Sequence, residues 1–144
     1  MKVDIKLLNE FAKMPTKGSA YAAGFDLYAA INYDVTIMPH QTEMIDTGIA
    51  MSIPEGYFGG IYARSGLASK QGLRPANCVG VVDPDYRGSV QVALHNDTND
   101  IRNIKAGDRI AQLIIQPCPN VELNPVDDLD ETVRGGNRFG STGN

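Results

Sequence analysis

Two cysteines and two histidines are all the Cys and His metal ligands that this 144-residue chain offers. Cys78 and Cys118 lie too far apart for a paired-ligand motif, and a zinc centre would have to recruit both of them together with His40 and His95. Zinc is set aside on that ground, and the two thiols are expected to be reduced and mostly buried. Long apolar runs are missing as well. Runs such as Ile110-Ala111 and Leu113-Ile114-Ile115 around Gln112 fall far short of a bilayer span. The start, Met1-Lys-Val-Asp-Ile, has no apolar signal-peptide core. These absences predict a soluble, intracellular (cytoplasmic) protein with no membrane partner. Positive charge is also scarce: 13 Lys and Arg face 17 Asp and Glu, a net charge of -4. Nonspecific nucleic-acid binding needs a basic surface, so no nucleic-acid partner is expected. An anionic ligand would need local arginines and a metal counter-ion.

Helical periodicity is almost absent too, its one candidate being a turn from Ser65 to Gln71. In its place stand turn formers and short alternating runs. Ile49, Met51 and Ile53 alternate with small or polar residues, as do Val90, Val92 and Leu94, the pattern of half-buried strands. Similar runs occur at 3–8, 35–37, 57–62, 79–82, 109–116 and 121–123. Met38-Pro39, Pro54-Glu55-Gly56, Pro84-Asp85, Asn96-Asp97 and Ala106-Gly107-Asp108 read as the turns between them. Many short strands, with 15 glycines and 8 prolines, predict an all-β sandwich or barrel. There is no internal repeat. Near Asp127-Asp128-Leu129-Asp130-Glu131 the core-like character ends, so a β-rich domain over 1–126 and a linker with a mobile arm over 127–144 are expected.

Several segments could carry chemistry. Asp83-Pro84-Asp85-Tyr86-Arg87-Gly88 reads as the tip of a β-hairpin between the run 79–82 and the strand 90–94. Its aspartates are ordinary turn residues on one reading; on the other, Asp83 is a general base for a water molecule and Tyr86 offers its ring to a ligand. Ala63-Arg64-Ser65-Gly66 opens the helical turn, either with Ser65 as N-cap and Arg64 in solvent or as a phosphate contact. Asp26, within Ala23-Gly24-Phe25-Asp26-Leu27, is a buried ion-pair partner or lies near a metal. Gln112 must find a hydrogen-bond partner if it is buried. The tail from Arg134 onward, with Phe139 and two hydroxyls, has the composition of a disordered terminus, or of an arm that closes over a phosphate-bearing ligand. No P-loop or Ser-His-Asp arrangement is present.

In order and spacing, from about Ala20 to Thr142, these segments resemble the five motifs of the homotrimeric dUTP diphosphatases, the dUTPases. The first is Ala23-Gly24-Phe25-Asp26-Leu27, the second Ala63-Arg64-Ser65-Gly66-Leu67-Ala68, and the third Gly80-Val81-Val82-Asp83-Pro84-Asp85-Tyr86-Arg87-Gly88. The fourth is Gly107-Asp108-Arg109-Ile110-Ala111-Gln112-Leu113, and the fifth joins Arg134-Gly135 to Phe139-Gly140-Ser141-Thr142-Gly143. In this last motif Asn137 and Arg138 stand where the family commonly has glycines. The resemblance implies a jelly-roll-like subunit, a homotrimer with shared active sites, and Mg²⁺-dependent hydrolysis of dUTP to dUMP and pyrophosphate, an activity that limits uracil in DNA and supplies dUMP for thymidylate synthesis.

It also implies roles for individual residues. Asp83 activates the water that attacks the α-phosphorus, Tyr86 packs on the deoxyribose and excludes a ribose 2′-hydroxyl, and Asn77 bonds the uracil edge. Backbone groups around Val81, Val82 and Gln91 complete the base pocket. Arg64, Ser65 and Gly66 contact phosphate with support from Gln112. Arg134, Ser141 and Thr142 reach the outer phosphates, with Gly140 beside them, while Phe139 stacks on the base. Asp26 either joins the metal's water shell or orients Arg64. The competing readings are a dCTP deaminase-like enzyme and a catalytically silent dUTP-binding regulatory protein.

Overall fold

The computed structural model describes residues 1–136, and its elements are almost all strands. In chain order they are β1 (Asp4–Leu7), β2 (Thr16–Lys17), β3 (Phe25–Tyr28), β4 (Val35–Ile37), β5 (Thr42–Asp46), β6 (Ile49–Ser52), β7 (Tyr57–Tyr62), α1 (Ser65–Gln71), β8 (Leu73–Pro75), β9 (Gly80–Val82), β10 (Gln91–Asn96), β11 (Arg102–Ile104) and β12 (Arg109–Pro117). All pairings are antiparallel. A five-stranded sheet of order β2-β3-β12-β7-β9 accompanies a three-stranded sheet β5-β10-β8 and the pairs β1-β6 and β11-β4; none closes into a barrel. The all-β expectation therefore holds.

One core joins the sheets. Leu27, Ile37, Ile45, Ile49, Leu73, Val92, Leu94 and Ile110 are all but inaccessible to solvent. On β10 the exposed Gln91 alternates with buried Val92 and Leu94, the period-two signature of one wetted face. Asn96 is buried at the end of that strand, with its hydrogen-bonding capacity used. Its Nδ2 donates to the carbonyls of Ile37 and Asp100 at 3.1 and 2.7 Å, and its Oδ1 accepts from the Thr98 backbone N–H at 3.0 Å. A buried amide left unpaired would cost about 1–3 kcal/mol, so this residue fixes the turn after β10 against β4.

Three expectations and one open alternative fail here. The segment 83–88 is not a hairpin tip, because β9 pairs with β7 while β10 pairs with β5 and β8. It is a crossing between two sheets. Residues 121–123 form no strand and are exposed. Cys78 and Cys118 are both exposed free thiols: Cys78 sits in a tight turn at φ 62° and Cys118 directly follows β12. Ser65 is not a helix cap either. The N-cap position belongs to Arg64, in extended conformation with no side-chain cap bond, and Ser65 is the first helical residue. The short helix ends at Gly72 in the left-handed conformation, its N–H returned to the Leu67 carbonyl.

Candidate active site

The five-stranded sheet brings the first cluster together. Gln112 on β12 lies opposite Asp26 on β3 and opposite Tyr62 on β7, so Asp26, Gln112 and Tyr62 form one row, with Arg64 just past the end of β7. The register of β12 against β3 shifts between Arg109 and Ala111, at the start of the strand. Asp26, with 14% of its side chain exposed, uses one oxygen for each of two guanidiniums. Arg64 Nε donates to Oδ1 at 2.8 Å, and Arg109 Nη1 donates to Oδ2 at 3.1 Å. Arg64 Nη1 also reaches the Arg109 carbonyl at 3.3 Å. Arg64 is thus held, not free in solvent.

Gln112 finds the partner it needs. Its Nε2 donates to the Ala63 carbonyl at 2.8 Å, immediately before Arg64. The side chain lies so close over Gly24 that a Cβ there would stand 2.7 Å from Gln112 Oε1. This contact explains a glycine in the first motif. Arg64, Leu67, Gln71, Asn103, Asp108 and Arg109 line a concavity of about 220 Å³ over the cluster.

The second cluster surrounds the crossing between β9 and β10. Asn77, Gly80, Val81, Val82, Asp83, Tyr86, Ser89 and Gln91 line a concavity of about 270 Å³, with Met44 and Ile61 beside them. Asp83 follows directly on β9, an edge strand, and its carbonyl accepts the Tyr86 N–H at 3.2 Å. Arg87 Nη1 donates to the Pro84 and Tyr86 carbonyls and stiffens the same turn. Tyr86 is about half exposed, with its hydroxyl donating to the Ser89 carbonyl at 3.0 Å. The Asn77 turn is equally tight: the Val79 N–H reaches the Asn77 carbonyl at 2.7 Å, and the Asn77 amide rests against Gly80. A second groove of about 540 Å³, with Tyr57, Phe58, Pro84 and Cys118 in its wall, meets the first at Val81 and Asp83.

Within one chain the two concavities share no lining residue. Arg134 is exposed and lines neither, while Phe139, Gly140, Ser141 and Thr142 lie outside the described residues. Among the described residues no group of three or more His, Cys, Asp or Glu is placed to hold a metal ion. Both Asp26 oxygens are already engaged. The sequence reading missed Met44, Ser89 and the second guanidinium of Arg109. No signal marked Met44, because the mostly exposed β5 has no apolar alternation.

Fold and site together define a β-sheet protein with one concavity lined by arginines and another that pairs a carboxylate with an amide and an aromatic ring. The chain belongs to the dUTPase family, whose family model matches residues 10–143. It is 46% identical over 145 residues to the deoxyuridine 5'-triphosphate nucleotidohydrolase of Yarrowia lipolytica, covering 99% of this chain and 90% of the relative. The dUTPase of Staphylococcus bacteriophage 80alpha, solved with dUPNHPP, superposes with a TM-score of 0.90 at 31% identity, covering 99% of this chain and 98% of the other. A mutant dUTPase from phage phi11 of S. aureus, described with a structural Mg(II) ion, has a TM-score of 0.83 at 28% identity, covering 91% and 100%.

Proposed function

We propose that this protein hydrolyses dUTP to dUMP and pyrophosphate, by attack of an Asp83-activated water on the α-phosphorus. The observation that carries the reading is that Asn77, Asp83 and Tyr86 line one small concavity. A deoxynucleoside in it meets three groups of different chemistry: an amide for the uracil edge, a ring for the sugar and a carboxylate for water. Narrow walls around Val81, Val82 and Gln91 discriminate against the thymine methyl by steric exclusion. As general base, Asp83 takes the proton of the attacking water while pyrophosphate departs. Arg64, with Ser65 and Gly66, meets phosphate oxygens, and Gln112 supports it through Ala63.

The clamp on Asp26 fits a positioning role better than a metal role, since both carboxylate oxygens already serve guanidiniums. Mg²⁺ fits this donor set as a nucleotide-borne ion, where it offsets phosphate charge while keeping several of its waters. Arg134, Phe139, Gly140, Ser141 and Thr142 complete the site from the arm, over the outer phosphates and the base. In a homotrimer with shared sites, the arginine-lined concavity of one chain would meet the Asp83 concavity of a neighbour; within one chain the two share no lining residue.

Pyrophosphate release with Mg²⁺ across dUTP, UTP, dTTP and dCTP tests the assignment. Release confined to dUTP is expected. Ammonia from dCTP, or no turnover of dUTP, overturns it.

A further inference from the structure

Asp46 and Ser89 have no part in the chemistry above, yet they meet behind it. Asp46 closes β5 on the three-stranded sheet, and Ser89 lies 43 residues later in the wall of the Asp83 concavity. Ser89 Oγ donates to Asp46 Oδ1 at 2.5 Å, and the same oxygen accepts the Gly48 N–H at 2.7 Å. Thr47 adds a second hold on the neighbouring residue, with its hydroxyl 2.6 Å from the Val90 carbonyl. The turn after β5 therefore grips the end of the 83–90 crossing from behind.

What the grip holds is the anchor of Tyr86. The tyrosine hydroxyl donates to the Ser89 carbonyl at 3.0 Å, and its ring folds back over Gly88, where a Cβ would stand 2.4 Å from the hydroxyl oxygen. The ring thus has a bare backbone beneath it and one hydrogen bond at its tip. That bond fixes the ring only as well as Ser89 is itself fixed. Exposed backbone carbonyls on a crossing shift readily; one tied through its own side chain to a carboxylate on another sheet does not.

We infer that Asp46 is a positioning residue for sugar selection: through Ser89 it fixes the Tyr86 ring against the 2′ carbon of the nucleotide. This rests on the dUTP-hydrolase reading, because it takes Tyr86 to face the sugar. Steric rejection of a hydroxyl requires a wall that cannot retreat, so loosening the wall lets UTP in with less loss of dUTP turnover.

The test compares kcat/KM for dUTP with kcat/KM for UTP by pyrophosphate release, in the full-length protein with Mg²⁺. In Asp46→Ala the dUTP-to-UTP ratio is expected to fall by about tenfold, the size of a lost hydrogen-bonded tie in a discriminating site. The fall comes mainly from a lower KM for UTP. Ser89→Ala keeps the backbone carbonyl but removes the tie, so it reports the same fall even if Asp46→Ala does not fold. Asp46→Asn retains an acceptor oxygen for both donors and is expected to keep the ratio. An unchanged ratio in Ser89→Ala, or an equal fall in Asp46→Asn, overturns the positioning role. Failure of the unaltered protein to hydrolyse dUTP would instead remove the functional reading beneath it.

Discussion

Asp26 offers the sharpest perturbation, because its two oxygens serve arginines in different surroundings. Arg64 has 24% of its side chain exposed and Arg109 has 52%. In Asp26→Asn one acceptor remains, and the amide orients it toward the less exposed Arg64. Arg109 then faces an N–H₂ group and turns to solvent, at little cost for a half-exposed guanidinium. Asp26→Ala removes both acceptors and leaves Arg64 with no carboxylate beside it. A hydrogen bond to a charged group contributes about 1.5–3 kcal/mol, so we expect a loss of about 1 kcal/mol for Asn and about 3 kcal/mol for Ala, discounted for exposure. At about 4 °C per kcal/mol for a chain of this length, Tm falls by about 4 °C and about 12 °C respectively. Catalysis should follow the orientation of Arg64: about a tenfold loss of kcat/KM for dUTP in Asn and about a hundredfold in Ala. Thermal denaturation and pyrophosphate release at one fixed protein concentration measure both, and the activity assay is repeated over a range of Mg²⁺. Equal Tm and kcat/KM in Asp26→Ala and the unaltered protein would refute the clamp. Recovery of either variant at raised Mg²⁺ would return Asp26 to the metal.

Asp83→Asn is expected to bind dUTP, by calorimetric titration, while losing about a hundredfold or more in kcat, the contribution of a general base; undiminished turnover removes Asp83 from that role. Gly24→Ala pushes a methyl group against Gln112 and breaks its bond to Ala63, so the urea midpoint should drop by the equivalent of about 1–2 kcal/mol. Adding Gln112→Ala to that variant should then cost much less than it does alone, because the contact is already lost. At Asp97, the hydrogen bond from Arg74 holds the carboxyl below its ordinary range; desolvation opposes this, and the charges of Arg74, His95 and His40 assist it. The folded carboxyl is thus the stronger acid, and the stability it adds is present above the unfolded carboxylate range and lost as pH falls through the folded value. Between about pH 6 and about pH 3 the urea midpoint should decline more steeply in the unaltered protein than in Asp97→Asn, and equal slopes would contradict the bridge.

Strands that alternate, or that run apolar between turn formers, were legible to the residue, as at Val35–Ile37 and Tyr57–Tyr62. The strands that escaped lack that contrast. β3 carries Asp26 in its middle, Thr42, Glu43 and Met44 leave most of β5 exposed, and β8 ends on Pro75. Pairing escaped for a different reason. Nearness along the chain suggests that β9 and β10 form a hairpin, yet each finds its partners in a separate sheet, and no local signal says so. The chemistry-bearing segments stand out singly as turns rich in Asp, Arg and Gly. The pairing of Asp26 with Arg64 is one of the roles the family resemblance implies, but the second guanidinium of Arg109 is not, because the register shift at Arg109 and the row through Gln112 exist only once β3, β7 and β12 are side by side.

That arrangement also governs when the site can come into being. β12 is the last strand among the described residues, and it lies between β3 and β7, so until residues 109–117 are available Asp26 has neither Arg109 nor the row that aligns it with Arg64. Pairings that distant in sequence carry a loop-closure penalty before any contact rewards them, which places folding of such sheets in the range of about milliseconds to seconds. On a ribosome, the nascent chain would hold Asp26 and Arg64 without Arg109 or the aligning row until β12 had emerged.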